Sequence, residues 1–223
     1  MGDSPYVVGW SEPGALADIA RVLRQGGVAA LPTETLYGFS CLARSDLGIR
    51  RIMGLKSIDR RRGFVALAAS AAAVEAELAA DQDPRALAFL RKVWPAPLTA
   101  VLATRELLPW GEKHAGRPTA AFRVPAHAQL LQLLGELGEP ILSTSLNRTG
   151  SPPLARAEEI LQEFGDDLDL VILDDADPER WAARQENEPR PASSLADFTG
   201  WPPRILRRGD FDLQSALGAW EAS

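Results

Sequence analysis

The chain has 223 residues, of which 46% are hydrophobic and 24% charged, the balance of a packed globular protein and not of a disordered or fibrous one. A formal charge of −6 argues against non-specific coating of nucleic acid, which relies on clustered Lys and Arg. Cys41 is the single cysteine, which excludes an internal disulfide and a multi-cysteine zinc site, and two histidines add little to a metal case.

From Ala15 to Leu23 apolar residues recur at helical spacing, and Gly26-Gly27 then stops the helix before the apolar run Val28 to Leu31, read as a strand. Pro32 ends that strand, and Thr33 to Gly38 follows as a polar loop at the carboxyl end where α/β folds place ligands. A helix is expected over Leu47 to Leu55 and a buried strand over Phe64 to Ala69. Helices follow over Ala71 to Ala80 and Pro84 to Val93, until Trp94-Pro95-Ala96-Pro97 breaks the pattern. Strands are expected at Leu98 to Ala103 and, after a loop rich in Gly and Pro, at Thr119 to Val124. Helix Ala128 to Leu137, strand Ile141 to Ser145, helix Ala157 to Phe164 and strand Leu170 to Leu173 continue the alternation. A long polar loop, Asp174 to Ala192, reads as a lid or a mobile segment, and strands near Leu195 to Phe198 and Arg204 to Leu206 close the chain. This alternation predicts a layered α/β domain, with a mixed sheet because several connections are too short for crossover helices.

The richest apolar stretch, Phe64 to Ala73, is about half the length a membrane span needs and soon meets Glu75 and Glu77. The first ten positions carry Asp3 and no basic start before an apolar block, so a cytoplasmic protein without a secretory signal or membrane contact is expected.

Several segments carry chemistry. Pro32-Thr33-Glu34-Thr35-Leu36-Tyr37-Gly38 reads either as the lining of a small polar site or as a hydrogen-bonded turn. Lys56 with Arg60, Arg61 and Arg62 forms a basic cluster that suits phosphate oxygens or lies solvated. Ser143-Thr144-Ser145-Leu146-Asn147 offers three hydroxyls and an amide at a strand end. Arg123 sits within an apolar strand and needs an anion, which is either a ligand carboxylate or a protein Glu or Asp. No nucleophile stands beside a base, and neither a P-loop nor a dinucleotide glycine pattern occurs. The residues therefore suit a reaction run by positioning and by cationic stabilisation of phosphoryl charge.

Taken in order, Pro32 to Gly38, Lys56, Trp94-Pro95-Ala96-Pro97-Leu98-Thr99, Arg123-Val124-Pro125, Ser143 to Asn147 and Leu206-Arg207-Arg208-Gly209 resemble the YrdC-like threonylcarbamoyl-AMP synthase family. The likeness covers residues 14–210, within one domain expected over residues 1–223. It implies a twisted α/β sheet with a concave basic surface. It also implies an L-threonylcarbamoyladenylate synthase, which makes threonylcarbamoyl-AMP and pyrophosphate from ATP, L-threonine and bicarbonate for the tRNA modification t6A37, with Mg2+ accompanying ATP and no bound cofactor or resident metal. Carried over by position, Thr35, Arg123, Ser143 and Ser193 are implied to hold threonine. Arg62, Thr119, Ser143, Ser145, Asn147 and Arg207 are implied to hold the nucleotide, and Lys56 and Arg62 to act in catalysis.

Four positions depart from the family pattern. Ile58 replaces an arginine, Leu67 a histidine and Pro153 a serine, and Ser145-Leu146-Asn147 stands for Ser-Ala-Asn. These features resemble the YciO-like branch. The expectations that remain beside the synthase are an RNA- or nucleotide-binding protein, with tRNA or double-stranded RNA on the basic surface, and a carbamoyl-adenylate enzyme like the related domain of hydrogenase maturation proteins. As a synthase the chain would pass its product to the t6A transfer machinery.

Overall fold

A computed structural model describes residues 5–58, 63–175 and 191–222. The chain opens on strand β1 (Tyr6–Gly9) and helix α1 (Ala15–Arg24), whose Ile19, Ala20 and Leu23 are buried. Strands β2 (Ala29–Pro32) and β3 (Tyr37–Leu42) follow, fully buried along their length and paired antiparallel with Pro32 opposite Tyr37. The expected polar loop is thus shorter: Tyr37 and Gly38 belong to β3, which extends the ladder beyond the loop. The sequence reading assigned no strand here, because Gly38 and Ser40 interrupt the apolar run that would mark one.

Helix α2 (Asp46–Leu55) starts where Ser45 accepts the Gly48 N–H. After β4 (Val65–Leu67) comes α3 (Ala71–Glu75), shorter than expected, since the backbone at Glu77 and Ala79 leaves the helix to bond Arg105 and Ala103. Asp83 and Pro84 start α4 (Pro84–Val93), and β5 (Leu98–Ala103) follows. The Gly- and Pro-rich stretch holds a strand unseen in the sequence reading, β6 (Glu112–His114), which turns at Ala115 and Gly116 into β7 (Arg117–Arg123). His127 caps α5 (Ala128–Leu137) through its side chain, which accepts the Leu130 N–H. Then come β8 (Ile141–Ser145), α6 (Ala157–Phe164), β9 (Leu170–Leu173), β10 (Ser194–Asp197), β11 (Arg204–Arg207) and a C-terminal helix, α7 (Leu213–Glu221), also unforeseen. Of the expected loop from Asp174 to Ala192, residues 176–190 lie outside the described residues.

All the described strands join one mixed sheet in the order β1-β9-β2-β3-β8-β4-β7-β5-β10-β11, with β6 alongside β7. β4 and β7 run parallel, while β8 lies antiparallel to both β3 and β4. Side chains alternate across such a sheet, so each strand feeds two layers. The larger core packs Phe39, Phe122 and Phe198 beneath α2, α4 and α6, the last of which contributes Phe164. Each buried side chain of this size contributes about 1.5–3 kcal/mol. The smaller core sits on the opposite face, where Leu31, Leu42, Leu67, Ile141 and Ile172 meet Ile19, Leu23, Leu130 and Leu134 of α1 and α5. That cover takes no residue from β5, β7, β10 or β11. Of those strands, β7 and β11 contribute Arg123 and Arg207 to the lining of a cavity.

Candidate functional site

A cavity of about 250 Å3 opens over the middle of the sheet. Its lining brings together Thr35, Arg123, Ser143, Ser145, Ser193 and Arg207, six of the singled-out residues, from five separate stretches of chain. Three of the others do not line it. Thr119, at the start of β7, donates its hydroxyl to Glu112 O at 3.2 Å, and Lys56 and Asn147 stand behind the wall. Arg62, like Arg60 and Arg61, lies outside the described residues.

The loop between β2 and β3 is both a turn and a lining. Thr33 Oγ1 accepts the N–H groups of Thr35 and Leu36, each at 3.2 Å, and gives its own proton to Leu36 O at 2.8 Å. With its proton and both lone pairs engaged, Thr33 Oγ1 stands 3.1 Å from the Thr35 hydroxyl. Thr35 Oγ1 in turn accepts Nη1 of Arg123 at 3.2 Å. The guanidinium, the two hydroxyls and the Leu36 carbonyl thus form one contiguous polar cluster.

Arg123 has the protein partner that the sequence reading left open. Its Nε lies 3.5 Å from the Glu34 carboxylate, and the side chains are 7% and 6% exposed. Both Glu34 oxygens are buried without a hydrogen bond. The charge is balanced, but poorly solvated. Arg207 projects from the edge strand β11 and donates Nε and Nη2 to Ser193 O at 3.3 and 2.9 Å. Burial, and then the Arg123 charge, hold its pKa below the usual arginine range. Two guanidiniums thus share one partly desolvated space, which favours an anionic occupant.

Gly38 forms part of the floor, where a Cβ would stand 2.1 Å from Ser143 Oγ and 3.1 Å from Thr144 O. Only glycine lets β3 and β8 approach with the Ser143 hydroxyl between them. Ser40, across the ladder, lies 3.3 Å from the same hydroxyl. Ser193 Oγ meets Thr99 Oγ1 at 2.8 Å.

Lys56 follows α2 and sends its ammonium to Ser145 O at 2.8 Å, Asn147 O at 3.1 Å and Asn147 Oδ1 at 2.8 Å. An ammonium has three protons, and all three are placed. Asn147 Oδ1 also accepts the Ser145 hydroxyl at 2.7 Å. Lys56 and Asn147 therefore fasten the end of β8 that carries Ser145 into the cavity. Burial lowers the Lys56 pKa. Cys41 is buried, and desolvation pushes its thiol up to about 12, so it offers no nucleophile. Among the described residues no group of three His, Cys, Asp or Glu side chains stands together as a metal cage. No described helix is long and apolar enough to cross a membrane.

The residues that sequence reasoning missed are Thr99 and Ser40, and it gave Glu34 no definite role. Each had a faint signal, a polar side chain inside an otherwise apolar strand or next to one.

Comparison with known proteins places the chain among relatives of one family. The family described as "Telomere recombination", which groups Sua5, YciO and YrdC proteins, matches residues 21–209. A threonylcarbamoyl-AMP synthase of Thiobacillus denitrificans is 36% identical over 156 residues, 70% of this chain and 81% of that protein. Among solved structures, P. abyssi Sua5 complexed with L-threonine superposes with a TM-score of 0.78 at 26% identity, over 94% of this chain. The chain spans 59% of that longer protein. E. coli YciO gives a TM-score of 0.77 at 22% identity over 96% of this chain and 98% of that one, a likeness of fold alone.

Proposed function

The chain belongs to the Sua5/YciO/YrdC family, and from that premise we propose that it is a threonylcarbamoyl-AMP synthase, a nucleotidyltransferase acting on ATP, L-threonine and bicarbonate. One observation carries the reading: two guanidiniums, of Arg123 and Arg207, and the hydroxyls of Thr35, Ser143, Ser145 and Ser193 converge on a single cavity.

In this reading Arg123 receives the threonine carboxylate, with Thr35 and Ser193 beside it. Ser143, Ser145 and Arg207 take nucleotide oxygens. The cavity, at about 250 Å3, is below the range usual for drug-sized ligands, so the amino acid sits inside and the nucleotide extends across the mouth. Threonine's amine condenses with bicarbonate, losing water, to give a carbamate. A carbamate oxygen then attacks the α-phosphorus of ATP, the bond to the β-phosphate oxygen breaks, and pyrophosphate leaves. No protein nucleophile is required, which suits a site whose nearest thiol, Cys41, is buried. The arginines stabilise charge on the transferring phosphoryl group. Magnesium would arrive on the nucleotide's phosphates, its usual mode of binding. The product would then be handed to the t6A machinery acting on tRNA in the cytoplasm.

Release of pyrophosphate that depends on both threonine and bicarbonate tests the proposal. Folded protein that releases none above background would defeat it.

A second reading, RNA binding without turnover, is favoured by Leu67, an apolar residue in the cavity lining where the resembled family has histidine, and by Ile58. It predicts RNA affinity that falls steeply between two ionic strengths, with no binding of ATP or threonine.

A further inference from the structure

We propose that Thr99 is a positioning residue for the anion-binding end of the cavity, acting through Ser193, and that the two hydroxyls form a one-way donor chain aimed at a ligand oxygen. Threonine as the ligand rests on the function proposed above; the chemical class, an oxyanion, does not.

The backbone around Ser193 is fixed from several sides. Ser193 O accepts two N–H groups of Arg207, and Ser194 N bonds Pro97 O at 2.9 Å. Ser194 Oγ accepts the N–H groups of Gly209 and Phe211, at 2.9 and 3.3 Å, and donates to Phe211 O at 2.6 Å. Gly209 presses so close that a Cβ there would meet Ala192 O at 2.1 Å and the Ser193 carbonyl carbon at 2.6 Å. The remaining freedom at Ser193 is the direction of its hydroxyl proton.

Thr99 sets that direction. It is fully buried in β5, pairs with Leu195 of β10, and precedes Ala100, the partner of Phe122, so it stands across the ladder from Arg123. Its Oγ1 lies 2.8 Å from Ser193 Oγ, and no other partner is seen for its hydroxyl among the described residues. A buried hydroxyl proton needs an acceptor, and Ser193 Oγ is within reach. Were Ser193 the donor instead, the Thr99 proton would be stranded in the core. With Thr99 donating, the Ser193 proton turns to the cavity that it lines with Arg123 and Arg207. Each bond polarises the next, so the chain strengthens Ser193 as a donor. The Ser193 hydroxyl and the two guanidiniums then offer donors at this end, which favours a carboxylate or phosphate oxygen over an ammonium.

The experiment titrates L-threonine and, separately, inorganic phosphate into wild-type protein, Thr99→Val, Thr99→Ser, Ser193→Ala and the Thr99→Val/Ser193→Ala double variant by calorimetry. Val keeps the shape of Thr and removes the hydroxyl; Ser keeps the hydroxyl. Thr99→Val is expected to weaken oxyanion binding by about fivefold to tenfold, the size of one hydrogen bond, and Thr99→Ser by no more than about twofold. In the Ser193→Ala background, Thr99→Val should cost nothing further, because Thr99 acts only through that hydroxyl. Equal binding by wild type and Thr99→Val would overturn the proposal, and so would a full additional loss on top of Ser193→Ala, which would assign Thr99 to packing. Should Thr99→Val unfold, Thr99→Ala is read against Ser193→Ala in the same way. Phosphate binding that responds to Thr99→Val in a protein that ignores threonine would uphold the hydroxyl chain and defeat the proposed function.

Discussion

Arg123 Nε lies 3.5 Å from a Glu34 oxygen, with both side chains nearly sealed from solvent, so the residue proposed to capture substrate is also half of a buried ion pair. Arg123→Ala would leave a buried carboxylate unpaired and should cost about 3–5 kcal/mol of stability, whatever it does to ligand binding. The informative variant replaces both charges. Glu34→Gln with Arg123→Met should return stability to within about 1–2 kcal/mol of wild type, since apolar or neutral replacements of a buried pair are well tolerated. It should still fail to bind threonine in calorimetry. Retention of threonine affinity by the folded double variant would remove Arg123 from the site.

Gly38→Ala should disturb the cavity floor by moving Ser143. The new methyl would stand 2.1 Å from Ser143 Oγ, and the overpacking should cost about 1–3 kcal/mol in urea unfolding and at least about tenfold in kcat/KM for ATP. Adding Ser143→Ala removes the clashing atom and should recover most of the stability without the activity. Recovery of both would show that Ser143 supplies shape to the floor and no hydrogen bond to the ligand.

Cys41 should resist alkylation in the folded protein at neutral pH. Its thiol is buried and its pKa is pushed up to about 12 by desolvation, so the reactive thiolate is scarce as well as hidden. Labelling with a maleimide, followed by mass spectrometry, should appear only on unfolding in guanidinium. Rapid labelling of the native state at a rate matching a free thiol would contradict the packing of β3 against α2.

The sequence carried the main elements well where their periodicity was continuous, as in α1, α4, α5 and the apolar run of β9. It failed at β3, where Gly38 and Ser40 hide a strand buried throughout, and at β6, whose three residues are all exposed. Neither strand declares itself locally, because ladder bonds to distant neighbours make them. The site divides along similar lines. Thr35, Arg123 and Ser143 stand out as polar groups in or beside apolar segments, Ser193 is singled out by the family resemblance alone, and the four do meet. What local sequence could not reveal is which polar group faces the ligand and which holds another in place. Lys56 and Thr99 acquire their roles from residues 89 and 94 positions away along the chain.

Lys56 illustrates that distinction in a measurable way. Its ammonium gives all three protons to Ser145 O, Asn147 O and Asn147 Oδ1, so Lys56→Met should destabilise the protein by about 2 kcal/mol or more and loosen the strand end that presents Ser145. The KM for ATP should rise more than kcat falls, as expected of a residue that places others. Burial lowers the pKa of Lys56 below 10.5 in the folded state. Between that depressed value and 10.5 the unfolded chain binds more protons at this site than the folded one, so stability contributed by the group increases as pH rises through the window. The gap in unfolding free energy between wild type and Lys56→Met should therefore widen on approaching pH 10.5. A gap that narrows would mean that the ammonium is better stabilised when folded, and that ion pairing, not desolvation, governs it.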